Sequence, residues 1–129
     1  MNNKLRGILI DVENEEVKCI EIEDTLDEYY RILNCDIIDI VNRKIGRKRF
    51  EIICDDEGTF KANPKISAID NFGTPQLVGN IFIVGGEVDE DGNLTSLSQS
   101  DVKYVMNRVV HMCTRQFING YPMLTQCEY

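Results

Sequence analysis

The sequence predicts a single α+β domain over residues 1–129, with an antiparallel or mixed sheet of about five strands. A short N-terminal helix and a longer C-terminal helix are expected to pack mainly on one face of it. Three observations predict this class. Runs of aliphatic residues recur along the chain, and two of them, Arg49–Cys54 and Leu77–Val84, are apolar enough to form the centre of a sheet. Two other segments instead space their apolar residues at three and four, the period of one buried helix stripe. Finally, 129 residues with 43% hydrophobic and 28% charged side chains make a chain of one-domain size and ordinary folded composition.

Taken in order, Leu5–Ile10 reads as a buried strand, and the polar stretch Asp11–Glu16 as a reversal. Val17–Glu23 alternates, with Ile20 and Ile22 opposite Glu21 and Glu23, so the pair is expected to form a hairpin. Asp24 or Thr25 can cap a short helix whose first turn holds Asp27 and Glu28, where the helix dipole favours negative charge. Leu26, Tyr29, Tyr30 and Leu33 form its stripe, and Asn34 suits a left-handed stop.

Ile37–Val41 is the next predicted strand. Asn42–Lys48, turned at Gly46, connects it to Arg49–Cys54, whose Phe50, Ile52 and Cys54 share an inner face. An acidic turn follows at Asp55–Gly58. Phe60–Pro75 has no clean period and holds two of the three prolines, so it reads as a crossing loop with a helical turn near Ile66–Ile69. Leu77–Val84 then returns through the core and ends at Gly85-Gly86. Ser98 and Asp101 have the spacing of an N-terminal cap, and Val102, Val105, Met106, Val109 and Cys113 keep one apolar face of a long helix. The tail from Asn119 to Tyr129, interrupted by Pro122, reads as a loop.

The charge excludes some functions. A formal charge of −8, from 22 acidic and 14 basic residues, argues against direct binding to a phosphate backbone. Nine carboxylates lie between Asp11 and Glu28 and form an acidic surface, for which solubility is the ordinary explanation. The five cysteines, Cys19, Cys35, Cys54, Cys113 and Cys127, have no C-x-x-C pair and read as small core residues of a reducing compartment. With Asp11 preceding any long apolar run, neither a signal peptide nor a membrane span is expected. The expected home is the cytosol.

Two clusters stand out against this acidic background. Arg43, Lys44, Arg47, Lys48 and Arg49 place five of the 14 basic residues in seven positions. Such a loop needs solvent, an acidic partner or a bound anion, and a solvated hairpin tip that discourages edge aggregation is the ordinary reading. On the predicted C-terminal helix, Tyr104, Arg108, His111 and Arg115 fall in one band opposite Val102 and Val109. They suit either an anionic ligand with a base to stack, or a solvated face whose cations complement the helix C-terminus.

Catalytic arrangements find less support. His111 is the only histidine, which excludes a histidine-rich metal site and leaves a triad without a third supporting group. Glu87–Gly92 resembles the first half of a calcium loop, but Ser98 stands where its bidentate Glu belongs. Asp55, Asp56 and Glu57 could hold magnesium only with ligands from elsewhere in the fold. No cofactor and no catalytic residue is expected.

In order and spacing, Cys54-Asp55-Asp56-Glu57-Gly58, Leu77-Val78-Gly79-Asn80 and Ser96-Leu97-Ser98-Gln99-Ser100-Asp101 resemble a family of small proteins defined by a domain of unknown function. Its members are common in phages, plasmids and other mobile elements, and the resemblance runs from Gly7 to about Val110. It implies a genomic setting and brings no catalytic residues. The expected function is that of a small non-enzymatic binding protein, a counter-defence factor in the bacterial host cytosol that blocks a host protein or sequesters a nucleotide signal. A small metal-dependent nucleotide-processing enzyme built on Asp55-Asp56-Glu57 is the alternative. The predicted edge strands also favour a homodimer.

Overall fold

The computed structural model describes residues 4–57, 65–114 and 117–129, with the side chains of all but 111–121. These residues form β1 (Lys4–Asp11), β2 (Glu16–Glu23), α1 (Leu26–Leu33), β3 (Ile38–Ile45), β4 (Lys48–Asp55), β5 (Ile66–Ile69) and β6 (Pro75–Val78). They continue through β7 (Ile81–Val84), α2 (Gln99–Met106), β8 (Val109–Thr114), β9 (Phe117–Leu124) and β10 (Cys127–Glu128).

Two sheets result, where a single sheet of about five strands was expected. The larger has six strands in the order β10-β3-β4-β7-β1-β2, every neighbouring pair antiparallel. The smaller has four, in the order β6-β5-β9-β8, with β5 and β9 parallel. As the apolar runs predict, β4 and β7 are the central pair of the large sheet. All four residues of β7 are buried: Ile81 and Ile83 on one face, Phe82 and Val84 on the other.

The core therefore lies on both faces of the large sheet. On one side Ile8, Ile10, Phe50, Ile52, Ile81 and Ile83 pack with Ala68, Leu77 and Leu124 of the small sheet and Val105 of α2. On the other, Leu5, Leu9, Ile53, Phe82 and Val84 pack under Tyr29, Ile32 and Leu33 of α1. Each Val, Leu, Ile or Phe side chain among them contributes roughly 1.5–3 kcal/mol when fully buried. The two helices thus sit on opposite faces, which corrects their expected placement on one: both faces of β7 are apolar and each needs a cover.

The N-terminal half follows its sequence signals closely, except that Leu26 of the expected α1 stripe is exposed and Ile32 joins Tyr29 and Leu33 in the core. The β1–β2 hairpin runs in full register from Lys4↔Glu23 to Asp11↔Glu16. Asp11 closes its turn by accepting from the Asn14 backbone N–H at 3.0 Å and the Asn14 side-chain amide at 2.7 Å. Thr25 caps α1 by accepting from the Glu28 N–H, and Asn34 stops it at φ 52°.

Five boundaries differ from expectation, the first being that β3 runs on to Ile45 and leaves only Gly46 and Arg47 of the expected connection Asn42–Lys48 as a turn. The run Leu77–Val84 is broken at Gly79 (φ 81°), whose N–H donates to the Lys65 carbonyl at 2.8 Å, so β6 and β7 belong to different sheets. Ile66–Ile69 is a strand, not a helical turn; it is held between β6 and β9. The predicted long helix stops at Met106, because Val109–Thr114 is rich in β-branched residues and finds a partner strand in β9. That pairing also makes most of the predicted tail a strand, with Leu124 and Cys127 fully buried. Gly58 of the acidic turn and 60–64 of the crossing lie outside the described residues.

Candidate functional site

The two predicted clusters meet in part, at the tip of the β3–β4 hairpin. The hairpin register pairs Arg43 with Phe50, Lys44 with Arg49 and Ile45 with Lys48, leaving Gly46 and Arg47 as the turn. Gly46 takes φ 64°, and a Cβ built on it would lie 2.4 Å from the Tyr104 hydroxyl and 2.7 Å from Arg108 Nε. The missing side chain lets α2 press against the tip.

Tyr104 makes the junction. Its hydroxyl donates to the Ile45 carbonyl at 2.9 Å and accepts from the Arg47 N–H at 2.7 Å. Its ring lies 6.0 Å from that of Phe50, centroid to centroid, and the Arg108 guanidinium carbon sits 3.6 Å from its own centroid. Arg108 Nη1 also donates to the Tyr104 carbonyl at 2.9 Å, while its buried Nε has no hydrogen-bond partner among the described residues. The expected solvent-facing band is therefore a packed joint as far as Tyr104 and Arg108 reach. His111 is not on the helix at all but on β8, opposite Pro122, and its side chain is not described. Arg115 lies outside the described residues.

Most of the basic loop is engaged by the chain itself. Arg43 places its guanidinium 4.1 Å from the Tyr129 ring centroid. Lys48 pairs with Asp101 in the first turn of α2 and lies 5.5 Å from the Tyr104 ring centroid. Arg49 donates to Asn42 Oδ1 at 2.9 Å and to the Tyr129 carbonyl at 3.3 Å. Lys44 stands on β3 opposite Glu128. Arg47 alone projects from the turn, exposed, with no side-chain partner among the described residues. Asn42, Asp101 and Tyr129, which organise these cations, were not among the predicted residues. Nothing local marks them, since Tyr129 reaches Arg49 from 80 positions away.

Beside this corner a cleft of about 480 Å³ is lined by Lys48, Arg49, Gly85, Gly86, Ser96 and Ser98, together with Glu87 and Asp101. The two carboxylates offset its cations. A second cleft, of about 520 Å³, lies under α1 between Asp27, Tyr30, Arg31 and Asn34 and reaches Asp55 and Glu57. Asp55 is buried there and its Oδ1 accepts from the Glu57 N–H at 2.9 Å, which makes it the closing residue of its turn. Asp89 does the same in Glu87–Gly92: its Oδ1 accepts from the N–H groups of Asn93 (2.8 Å) and Asp91 (2.9 Å), bonds that hold its carboxyl below the usual range. Among the described residues no group of three or more His, Cys, Asp or Glu is arranged to hold a metal ion.

Of the cysteines, Cys54 and Cys127 are buried core residues. Burial pushes the Cys54 thiol up to about 12, with the Asp39 carboxylate adding to the shift, and the Cys127 thiol up to about 11. Cys19 is exposed on β2 and Cys35 is half-buried. Among the described residues no helix is long and apolar enough to cross a membrane.

No curated protein and no solved structure shows significant similarity to the chain. The family described as a domain of unknown function, DUF3846, matches residues 5–110, from β1 through α2 to the start of β8. That span takes in both central strands, α1 and the Tyr104 joint, and the chain belongs to this family.

Proposed function

We propose that the chain is a non-enzymatic binding protein of a phage or mobile element, a counter-defence factor that docks its cationic hairpin corner on an acidic surface of a bacterial host protein. The observation that carries this reading is the rigidity of the corner. Tyr104 ties both sides of the turn to α2, so Arg47 is presented without the ordering cost of a free loop. Lys48 and Arg49 stand beside it on β4, in a molecule whose net charge is −8.

A protein surface suits this corner better than a nucleotide. Arg43, Lys48 and Arg49 are splayed toward Tyr129, Asp101 and Asn42 and do not converge on one point, and Glu87 and Asp101 in the adjoining cleft repel phosphate. Acidic surface against basic corner gives orientation and a fast, salt-sensitive encounter.

The test is capture from host lysate by immobilised wild-type protein and by an Arg47→Glu variant, over a salt series. A partner retained at low salt, released as salt rises and lost by the variant is the expected result. Capture that is indifferent to both salt and the variant would overturn the docking mode. Turnover of a nucleotide that is lost in Asp55→Asn would replace it with the enzymatic alternative.

A further inference from the structure

The outer edge of β3 is covered over only part of its length, and the ladder register shows which part is open. The Asp56 N–H donates to the Ile37 carbonyl at 3.0 Å, in step with the β3–β4 pairing from Ile38↔Asp55 to Ile45↔Lys48. In an antiparallel ladder alternate residues turn their backbone groups to the same neighbour. Odd-numbered residues of β3 therefore face β4, and even-numbered ones face outward. The other side agrees: the Gly46 N–H donates to the Gln126 carbonyl at 3.0 Å, in step with Lys44↔Glu128 of β10.

Beyond Lys44 no described strand continues along this edge. Ile38, Ile40 and Asn42 thus direct their backbone groups away from the sheet. Two of these groups are capped by neighbouring side chains, as unpaired edges require: Asp39 Oδ1 accepts from the Ile40 N–H at 2.9 Å, and Arg43 Nη1 donates to the Asn42 carbonyl at 3.1 Å. Ile40 itself is 45% exposed. The sheet's opposite edge, β2, is guarded differently, by Glu16, Lys18, Glu21 and Glu23 along its length. Ile38–Asn42 carries three aliphatic residues and one charge.

We propose that Ile38–Asn42 is a homodimer interface, at which a second copy lays its own Ile38–Asn42 antiparallel across a two-fold axis at Ile40. Register follows from the outward groups. Setting Ile40 opposite Ile40 places each Ile38 opposite an Asn42, so that all three outward-facing residues of both copies are paired. Sliding by one pair in one direction puts Ile38 opposite Lys44, a position that Glu128 already holds, and in the other direction sets Asn42 opposite Asp36, outside the strand. The gap and the strand that fills it therefore have the same length, and a second copy satisfies both at once.

At the axis the side chains match as well. The two Ile40 side chains meet at the axis as an apolar cross-strand pair. Asp39, freed from capping the Ile40 N–H, stands opposite Val41 of the second copy and diagonal to both its Arg43 and its Asp39. A five-residue strand pair is small for a permanent interface, so the dimer forms at high protein concentration.

The test is sedimentation of the full chain from about 10 μM to about 1 mM. Wild type is expected to pass from monomer to dimer, and Ile40→Pro to weaken dimerisation at least about tenfold. This substitution removes an N–H that faces outward and leaves the β3–β4 ladder intact. Ile40→Lys, which keeps that N–H but charges the axis, is the second variant should the proline disturb folding. A wild type monomeric throughout, or dimers that survive in the folded variants, would overturn the interface. Neither outcome bears on Arg47, which lies in the turn outside the gap.

Discussion

The Tyr104 hydroxyl donates to the Ile45 carbonyl at 2.9 Å, joining α2 to a hairpin tip 59 positions earlier in the chain. The same oxygen accepts from the Arg47 N–H, so one side chain satisfies a backbone group on each side of the turn. Tyr104→Phe keeps the ring between Phe50 and Arg108 and deletes both bonds. A loss of about 1–3 kcal/mol is expected in urea unfolding. Faster amide exchange at Arg47 than in wild type would locate the effect, and an unchanged rate there would contradict the joint.

Arg108 and Arg47 separate the structural cations from the presented one. Because Arg108 stacks on Tyr104 and is half-buried, Arg108→Ala is expected to destabilise the fold by about 0.5–2 kcal/mol. This replaces the expectation that Arg108 lies on a solvated helix face. Arg47→Ala, at an exposed turn position, should stay within about 0.5 kcal/mol of wild type. Thermal melts of the two variants side by side check the contrast, and equal losses would refute it.

Val105 is fully buried between α2 and the large sheet. Val105→Asp places an unpaired charge there and is expected to abolish cooperative unfolding, as read by circular dichroism. A sharp, native-like melt in this variant would remove α2 from the core.

Gly79 tests the break between the two sheets. At φ 81° an alanine is strained, although the nearest atom to its Cβ, Asp55 Cβ, is 4.0 Å away, so the cost is conformational and not steric. Gly79→Ala should cost about 1–2 kcal/mol. No loss in its denaturation midpoint would mean that β6 and β7 can run on as one strand.

Cys54 and Cys127 carry a pH dependence whose sign follows from their burial. A thiol that holds its proton more tightly when folded contributes fully below its ordinary value of 9.0. That contribution is lost as pH rises from there through about 11 for Cys127 and about 12 for Cys54. Urea midpoints should therefore fall above about pH 9. At lower pH a thiol reagent should label exposed Cys19 at once and these two only on unfolding; equal labelling rates in the native protein would contradict their burial.

How much was legible in the sequence depended on the range of the interactions. The β1–β2 hairpin, the caps of α1 and the turn at Gly46 are written in residues a few positions apart, and these were read correctly. The inner face Phe50, Ile52, Cys54 was readable from alternation, and the central place of β4 and β7 from apolar runs covered on both sides. The end of α2 was not. Val102, Val105, Met106, Val109 and Cys113 fit the helical period, yet Val109–Thr114 also fits a strand, and only the presence of β9 chooses between them.

The candidate site shows the same division. Local composition determined that five cations crowd one hairpin of an acidic chain, and periodicity put Tyr104 and Arg108 on one helix. Which cations are spent on the fold, Arg43 on Tyr129, Lys48 on Asp101 and Arg108 on Tyr104, was decided only by tertiary structure. So was the open stretch of β3, whose extent depends on where β10 stops. The physical reason is common to both: a side chain's period and charge are local properties, whereas its partner is set by which distant segment buries its apolar face beside it.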